Sequence, residues 1–301
     1  MKKILIVADV RGWIFERHAL EIQKRLSHKY EIDICYSTEG QVSTLSSDKD
    51  LVYVMDPMPM LYPSPKKVAM GLRCQWLYER HSGGAKGLYE QGREGVVIKD
   101  RCSLFHVVNN NQYDEFKDIV TDRPFLKVQH GVDTNLFCGN INLSNSKLRV
   151  GFAGRASGYV DKGYNIIESI CQDKSYDFKP ADYSGSKKSK EEMPEFYRNI
   201  DVFVCFSESE GHNNALLEAG AMGVPVISTR TGTSGEIIRP MENGILIDKI
   251  PDALEKALEM MENSAMRKIW GKALQEEIIN NWSWDKKIKE YEDMFDLFFT
   301  I

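Results

Sequence analysis

The reading of this chain turns on residues 202–227, Val202-Phe203-Val204-Cys205-Phe206-Ser207-Glu208-Ser209-Glu210-Gly211-His212-Asn213-Asn214-Ala215-Leu216-Leu217-Glu218-Ala219-Gly220-Ala221-Met222-Gly223-Val224-Pro225-Val226-Ile227. Its apolar opening, residues 202–206, predicts a buried strand of a parallel sheet. A polar, glycine-containing loop follows, and then an Ala/Leu helix for which Asn213 or Asn214 supplies the N-cap. The N–H groups of a helix start, with the helix dipole behind them, favour an anion. Glu210 in the loop and Glu218 in the helix lie eight positions apart. Two carboxylates would repel a bound phosphate unless they face something else, and the hydroxyls of a sugar suit groups that only accept hydrogen bonds.

The pattern continues on both sides. Upstream, residues 148–153 read as a strand, Gly154-Arg155-Ala156-Ser157-Gly158 opens a loop, and Lys162-Gly163 leads into a helix over 164–171. Arg155 and Lys162 place two cations where an anionic ligand would lie, although surface cations are common and no GxxxxGK[ST] loop is present. Residues 183–190 read as a polar loop and 191–199 as a short helix. Downstream come a strand over 224–228, a loop of small residues over 229–236, a short strand at 244–247, and helices over 251–263, over 265–280 and up to Phe299. Tyr291, Phe295, Phe298 and Phe299 form an aromatic face on the last helix that has to be buried, and the first domain is the expected place.

In the first half, a strand over 4–8 runs into the turn Asp9-Val10-Arg11-Gly12 and a helix over 15–27 with Phe15, Ala19, Ile22 and Leu26 on one face. Strands are expected over 32–35, 51–55, 68–72, 103–108 and 126–129, with a helix over 113–119. Strand, helix, strand predicts right-handed βαβ units with ligands at the carboxyl ends of the strands. The first turn lacks GxGxxG, which argues against a nicotinamide-dependent oxidoreductase; Gly12 lets a backbone approach a ligand or simply makes a tight turn. Four prolines mark residues 56–66 as a loop. Residues 73–95 read as a Gly-rich, aromatic and cationic loop, either substrate-binding or merely solvated; residues 66–101 hold eight Lys/Arg against four Asp/Glu. The octet 130–137 reads as a turn closing the half, and residues 138–147 as a linker.

A length of 301 residues with 42% apolar and 28% charged residues suits two soluble domains. The net charge of −5 argues against a general nucleic-acid coat. The acidic excess lies in the second half, with 20 Lys/Arg against 26 Asp/Glu from residue 141 onward and 19 against 18 before it. Six cysteines without a CxxC pair point to a reducing cytoplasm. Asp9 and Arg11 interrupt the N-terminal apolar run too early for a signal peptide, and no apolar stretch approaches the roughly 20 residues of a membrane helix.

Glu210-x7-Glu218 followed by Gly223-Val224-Pro225-Val226-Ile227, together with Gly154-Arg155, Lys162-Gly163, the run from Gly131 to Phe137 and Trp284-Asp285, resembles the retaining GT-B glycosyltransferases of family four and their E-x7-E motif. The resemblance is specific from about residue 126 onward and diffuse before it. It implies an α/β chain of two Rossmann-like domains with parallel sheets facing across a cleft. Residues 1–140 would form the acceptor-side domain, with a terminal helix at about 285–301 packing back on it, and residues 147–284 the nucleotide-sugar domain.

Carried over by position, the resemblance makes Arg155 and Lys162 the cations that neutralise the donor diphosphate. Glu210 then positions the transferred sugar and Glu218 the nucleotide ribose. Gly154, Gly211, His212, Asn213, Asn214 and Ala215 line the donor, joined by Gly12 from the first domain. Arg73, His81 and Arg11 are the acceptor-side candidates. A first-domain histidine often contacts the sugar in such enzymes; His81 and His106 are the choices, and His106 lies inside a strand where a core role is the simpler reading.

The implied activity is retaining transfer from a nucleotide-diphosphate sugar, UDP or GDP favoured, to a hydroxyl of a glycan or lipid-linked sugar. The alternatives are transfer to modified DNA bases and a non-catalytic sugar-nucleotide-binding subunit. No cofactor or metal is expected, because the cations carry the phosphate charge; Asp48-Lys49-Asp50 precedes its strand and reads as a solvated turn. A cytoplasmic protein with at most peripheral membrane contact completes the expectation.

Overall fold

Ile4, Leu5, Ile6, Val7 and Ala8 have no exposed surface, and this five-residue run is the middle of a parallel sheet, where strands are covered on both faces. The computed structural model of the chain describes residues 1–57, 68–139, 142, 147–158, 160–182 and 188–301. Most of the loop expected at 56–66, of the linker at 138–147 and of the loop at 183–190 falls outside the described residues.

In chain order the first half gives β1 (Lys2–Ala8), α1 (Ile14–Leu26), β2 (Tyr30–Tyr36), α2 (Val42–Leu45), β3 (Leu51–Val54), β4 (Val68–Leu72), α3 (Trp76–Glu79), α4 (Gly84–Gln91), α5 (Arg93–Arg101), β5 (Leu104–Val107), α6 (Asn110–Phe116) and β6 (Phe125–Lys127). Its strands form a parallel sheet in the order β2-β1-β3-β4-β5-β6. The chain leaves β1 for one edge and returns to β3 on the other side. The carboxyl ends of β1 and β3 therefore flank the point where strand order reverses, which is where open α/β sheets bind ligands.

The loop expected over 73–95 instead holds two helices, α3 and α4, and the start of a third, α5, which runs on to Arg101. Glycine misled the reading, because here it serves close packing. A Cβ on Gly95 would lie 2.2 Å from the Leu88 carbonyl oxygen, so α4 and α5 meet backbone to backbone. The helix expected at 113–119 begins three residues earlier, because the Asn109 side chain accepts from the Gln112 N–H at 2.8 Å and caps it.

The second half gives β7 (Arg149–Gly154), α7 (Tyr164–Asp173), β8 (Asp177–Asp182), α8 (Met193–Arg198), β9 (Val202–Cys205), α9 (Asn214–Ala221), β10 (Val226–Thr229), α10 (Ser234–Ile237), β11 (Ile245–Ile247), α11 (Pro251–Met260), α12 (Ser264–Asn281) and α13 (Trp284–Phe298). Its parallel sheet has the order β11-β10-β9-β7-β8. Asp201 is fully buried at the entry to β9 and accepts from Arg149 N at 2.9 Å and from Arg149 Nε at 3.0 Å, which fixes β9 against β7. Sequence reading missed β8. Pro180 and its polar neighbours make it look like loop, and it survives as a strand because it is the sheet edge, where a missing N–H costs little.

The chain divides into one unit of residues 1–130 with 287–301 and another of residues 131–286. The 131–137 run therefore goes with the second unit, where Val132 N donates to Trp282 O at 2.9 Å and Trp284 N to Val132 O at 3.0 Å. Within the first unit, the aromatic face of α13 is buried: Tyr291 and Phe295 have no exposure, and Phe295 meets the rings of Tyr30 and Tyr53 edge-on at 5.8 and 5.7 Å. Lys29 Nζ adds ion pairs to Glu292 at 2.8 Å and Asp296 at 2.5 Å.

The Arg73 guanidinium ties α13 further, donating from Nη2 to the Tyr291 hydroxyl at 2.7 Å and the Tyr53 hydroxyl at 2.9 Å. Replacing Tyr291 by Phe keeps the ring and removes one acceptor from a buried cation, so it should destabilise the protein by about 1–3 kcal/mol. Urea denaturation checks this against Tyr113→Phe, at an exposed ring, which should stay within about 0.5 kcal/mol of wild type.

Candidate functional site

In the second sheet the order reverses between β7 and β9, since the chain runs from β7 out to β8 and then back to β9 on the other side. The two loops that carry the sequence candidates, 154–163 after β7 and 206–213 after β9, both leave from this reversal point. The chain therefore brings Gly154, Lys162 and Glu210 together. Lys162 runs past Gly154, where an added Cβ would stand 3.0 Å from its Cδ. Its ammonium forms an ion pair with Glu210 Oε1, which also accepts from Ser207 Oγ at 2.7 Å. Arg155 is exposed at the mouth of the same loop.

Asp161 fastens the two loops to each other. Its Oδ1 accepts from Gly163 N at 2.8 Å, its carbonyl from Glu208 N at 2.8 Å, and its Oδ2 lies 2.5 Å from Lys249 Nζ. Gly163 starts α7 at φ 73°, and a Cβ there would come within 2.7 Å of the Phe206 carbonyl oxygen. Both facts demand glycine.

Asn213 is the N-cap residue of α9, but its side chain makes no cap hydrogen bond. Its Oδ1 instead accepts from Thr233 N at 2.9 Å, and its own N–H donates to Thr233 Oγ1 at 3.2 Å. The side chain that normally takes a first-turn amide is thus committed to the 229–234 loop, while the first amide of α9, Asn214 N, donates to His212 O at 2.9 Å. Beneath this corner lies Cys205, whose Sγ accepts from Asn213 Nδ2 at 3.4 Å; burial pushes its thiol up, so it packs as a neutral group. Thr229 Oγ1 donates to Ser207 O at 2.7 Å and closes the corner from β10. Further along α9, the half-buried Glu218 accepts from the Tyr197 hydroxyl at 2.9 Å.

The first-unit candidates are spread out. Arg11 is exposed, paired with Glu39 at 3.0 Å and lying over the Tyr36 ring at 4.1 Å. Gly12 adopts φ 80° in a turn and donates its N–H to Glu16 Oε2 at 2.6 Å. His81 is half-buried, with Nδ1 2.9 Å from the Ser82 carbonyl. Arg73 is only 5% exposed; besides the two phenols, its Nη1 lies 3.0 Å from His18 Nδ1 and 3.4 Å from His130 Nδ1.

His106 is fully buried with Nε2 2.8 Å from the Tyr53 hydroxyl, and burial first, then Arg73, lowers its pKa to about 3. It is a neutral core histidine. Asp56 accepts from Arg73 N at 2.9 Å, yet burial raises its pKa to about 6. Asp9, after β1, is raised by burial as well, and its Oδ1 is buried with no hydrogen-bond partner among the described residues. Sequence reading named neither Asp9 nor Asp56 as a site residue. Position at the carboxyl ends of β1 and β3 was the signal available for them. No sequence signal marked Ser207, Tyr197, Asp161 or Thr233, which act through contacts made only in the fold.

Among the described residues, no group of three or more His, Cys, Asp or Glu side chains could hold a metal ion, and no helix is long and apolar enough to cross a membrane.

The model of the glycosyl transferases group 1 family matches residues 178–263, which include β9, the 206–213 loop and α9. An uncharacterized glycosyltransferase of Methanocaldococcus jannaschii is 36% identical over 116 residues, 36% of this chain and 33% of that protein. The N-acetyl-alpha-D-glucosaminyl L-malate synthase of Bacillus anthracis is 25% identical over 108 residues, 35% of this chain and 28% of its own. These matches span no more than about a third of the relatives' length. Among solved structures, the sucrose-phosphate synthase of Thermosynechococcus elongatus superposes with a TM-score of 0.75 over 100% of both chains at 13% identity. HepE from Anabaena, solved with UDP, gives 0.71 over 98% of this chain and 100% of its own at 13% identity. The fold is that of the GT-B glycosyltransferases, two parallel-sheet Rossmann-like α/β units, and the second unit carries the stretch that matches the glycosyl transferases group 1 model.

The loop geometry makes Gly163→Ala a direct probe. It should lower stability by about 1–3 kcal/mol through positive φ and the clash with Phe206. Gly235→Ala, at a helical glycine with nothing within 4 Å of an added Cβ, should be neutral or slightly stabilising. Thermal unfolding of the two variants compares them.

Proposed function

We propose that the protein is a retaining glycosyltransferase that takes its sugar from a nucleotide-diphosphate donor held at the β7/β9 reversal point. The observation that carries this reading is the joining of Lys162, Glu210 and Ser207 beside a helix start whose cap residue is diverted to Thr233. A site with cations, helix-start amides and hydroxyl-seeking carboxylates matches a diphosphate with a sugar on either side. Further support comes from the glycosyltransferase-like sequence of residues 178–263 and from GT-B neighbours solved with UDP or with UDP-glucose.

In this reading Arg155, Lys162 and the first turn of α9 stabilise the negative charge that builds on the departing diphosphate. Glu210 holds hydroxyls of the transferred sugar, and Glu218 those of the ribose. The acceptor hydroxyl, from a glycan or a lipid-linked sugar, attacks from the face the diphosphate leaves and passes its proton to the departing phosphate oxygen, which preserves the anomeric configuration. Phosphate charge met by side chains and amides calls for no divalent metal, so activity is expected to persist in chelator.

Donor turnover separates this reading from its rivals. With a panel of UDP-, GDP- and ADP-sugars, wild type should release nucleoside diphosphate slowly without acceptor and faster with one. Lys162→Ala and Glu210→Ala should each lower that rate by about 10²–10³-fold. Variants as active as wild type would remove the site assignment, and wild type inert towards every donor would remove the activity.

A further inference from the structure

Tyr197 has no exposed surface, although a phenol carries a polar atom that must be satisfied when buried. Three aromatic rings fix its position: Phe196 at 5.1 Å, Phe203 at 5.9 Å and Phe137 at 6.1 Å, all edge-on. The ring cannot move far without disturbing this packing, and its hydroxyl donates to Glu218 Oε2 at 2.9 Å. The donor direction follows from chemistry, because an ionised carboxylate only accepts. Glu218 sits on α9 and is half-buried, so its flexible side chain meets a rigid partner anchored on α8. A glutamate left to itself samples several rotamers and loses that freedom when it binds a ligand. One held by a caged phenol has already lost it.

We propose that Tyr197 is a positioning residue that aims the Glu218 carboxylate at the vicinal hydroxyls of the donor ribose and thereby makes the site prefer ribonucleotides to 2′-deoxyribonucleotides. This rests on the donor reading given above, in which Glu218 faces the ribose. The hydrogen bond from Tyr197 sets the plane of the carboxylate, and a carboxylate of fixed plane can take two neighbouring O–H donors at once. A wandering carboxylate takes one well and the second poorly. The contribution of Tyr197 is therefore expressed only when both hydroxyls are present, which distinguishes positioning from general support of the fold.

The test is calorimetric titration of whichever of UDP, GDP or ADP binds best, alongside its 2′-deoxy analogue, to wild type, Tyr197→Phe, Glu218→Gln and the double variant. Phenylalanine preserves the aromatic packing, and the affinity for the 2′-deoxy analogue reports an intact site. Wild type should prefer the ribonucleotide. Tyr197→Phe should weaken the ribonucleotide about tenfold, the loss expected from one hydrogen bond, and leave the 2′-deoxy analogue within about twofold. The double variant should bind no more weakly than Glu218→Gln alone. Equal weakening of both nucleotides by Tyr197→Phe, or no weakening of either, would overturn the positioning role while leaving the donor reading standing. Wild type that binds no nucleoside diphosphate overturns the donor reading and this inference with it.

Discussion

The ion pair between Lys162 and Glu210 is the interaction on which the second unit's candidate site depends. It joins a residue that precedes α7 to one that precedes α9, so the two loops leaving the sheet's reversal point form one structure. Half-buried charges of this kind gain from each other only when their remaining valences are satisfied. Glu210 meets that requirement through Ser207, and the loop backbone meets it through Asp161, which receives amides from both loops. The pair also resolves the local electrostatics: a carboxylate already neutralised by an ammonium no longer repels an anion at the start of α9.

The first unit solves the opposite problem. Arg73 buries a guanidinium whose described hydrogen-bond partners are phenols and imidazoles, and among the described residues it reaches no carboxylate within ion-pair distance. Neutral acceptors on α1, β3 and α13, and after β6, satisfy its N–H groups in place of a carboxylate. The same arrangement requires His18 and His130 to stay neutral at the nitrogens facing Arg73, and it draws α13 onto the sheet through Tyr291. A single buried cation thus connects chain segments more than two hundred residues apart in sequence.

The order of strands and helices was legible because buried parallel strands are short apolar runs, and residues 4–8, 51–54, 68–72 and 202–205 announce themselves as such. Edge strands obey a weaker rule, and β8 with its proline was invisible for that reason. The helices over 76–101 were hidden by glycines whose purpose, close approach of α4 to α5, exists only once the chain is packed. The site followed the same division. Lys162, Glu210 and Glu218 stand out by charge and place, at a strand end and about a helix start, but their assignment as site residues came from the resemblance rather than from spacing. Arg73 could be noticed but not understood, because its burial depends on Tyr53 and Tyr291, which no local pattern links to it.

Two carboxylates beside a helix start, whose amides favour an anion, are compatible once each is given its own distance and its own partner. Glu218 lies four residues beyond the first residue of α9, about 6 Å along the axis at 1.5 Å per residue. There the amide field of the helix start has weakened, and the group answers to Tyr197 instead. Glu210 lies before the helix, inside the field, and is held by Lys162. The sequence spacing of eight is therefore a physical separation between a carboxylate joined to a cation before the helix and one that accepts from a buried phenol within it.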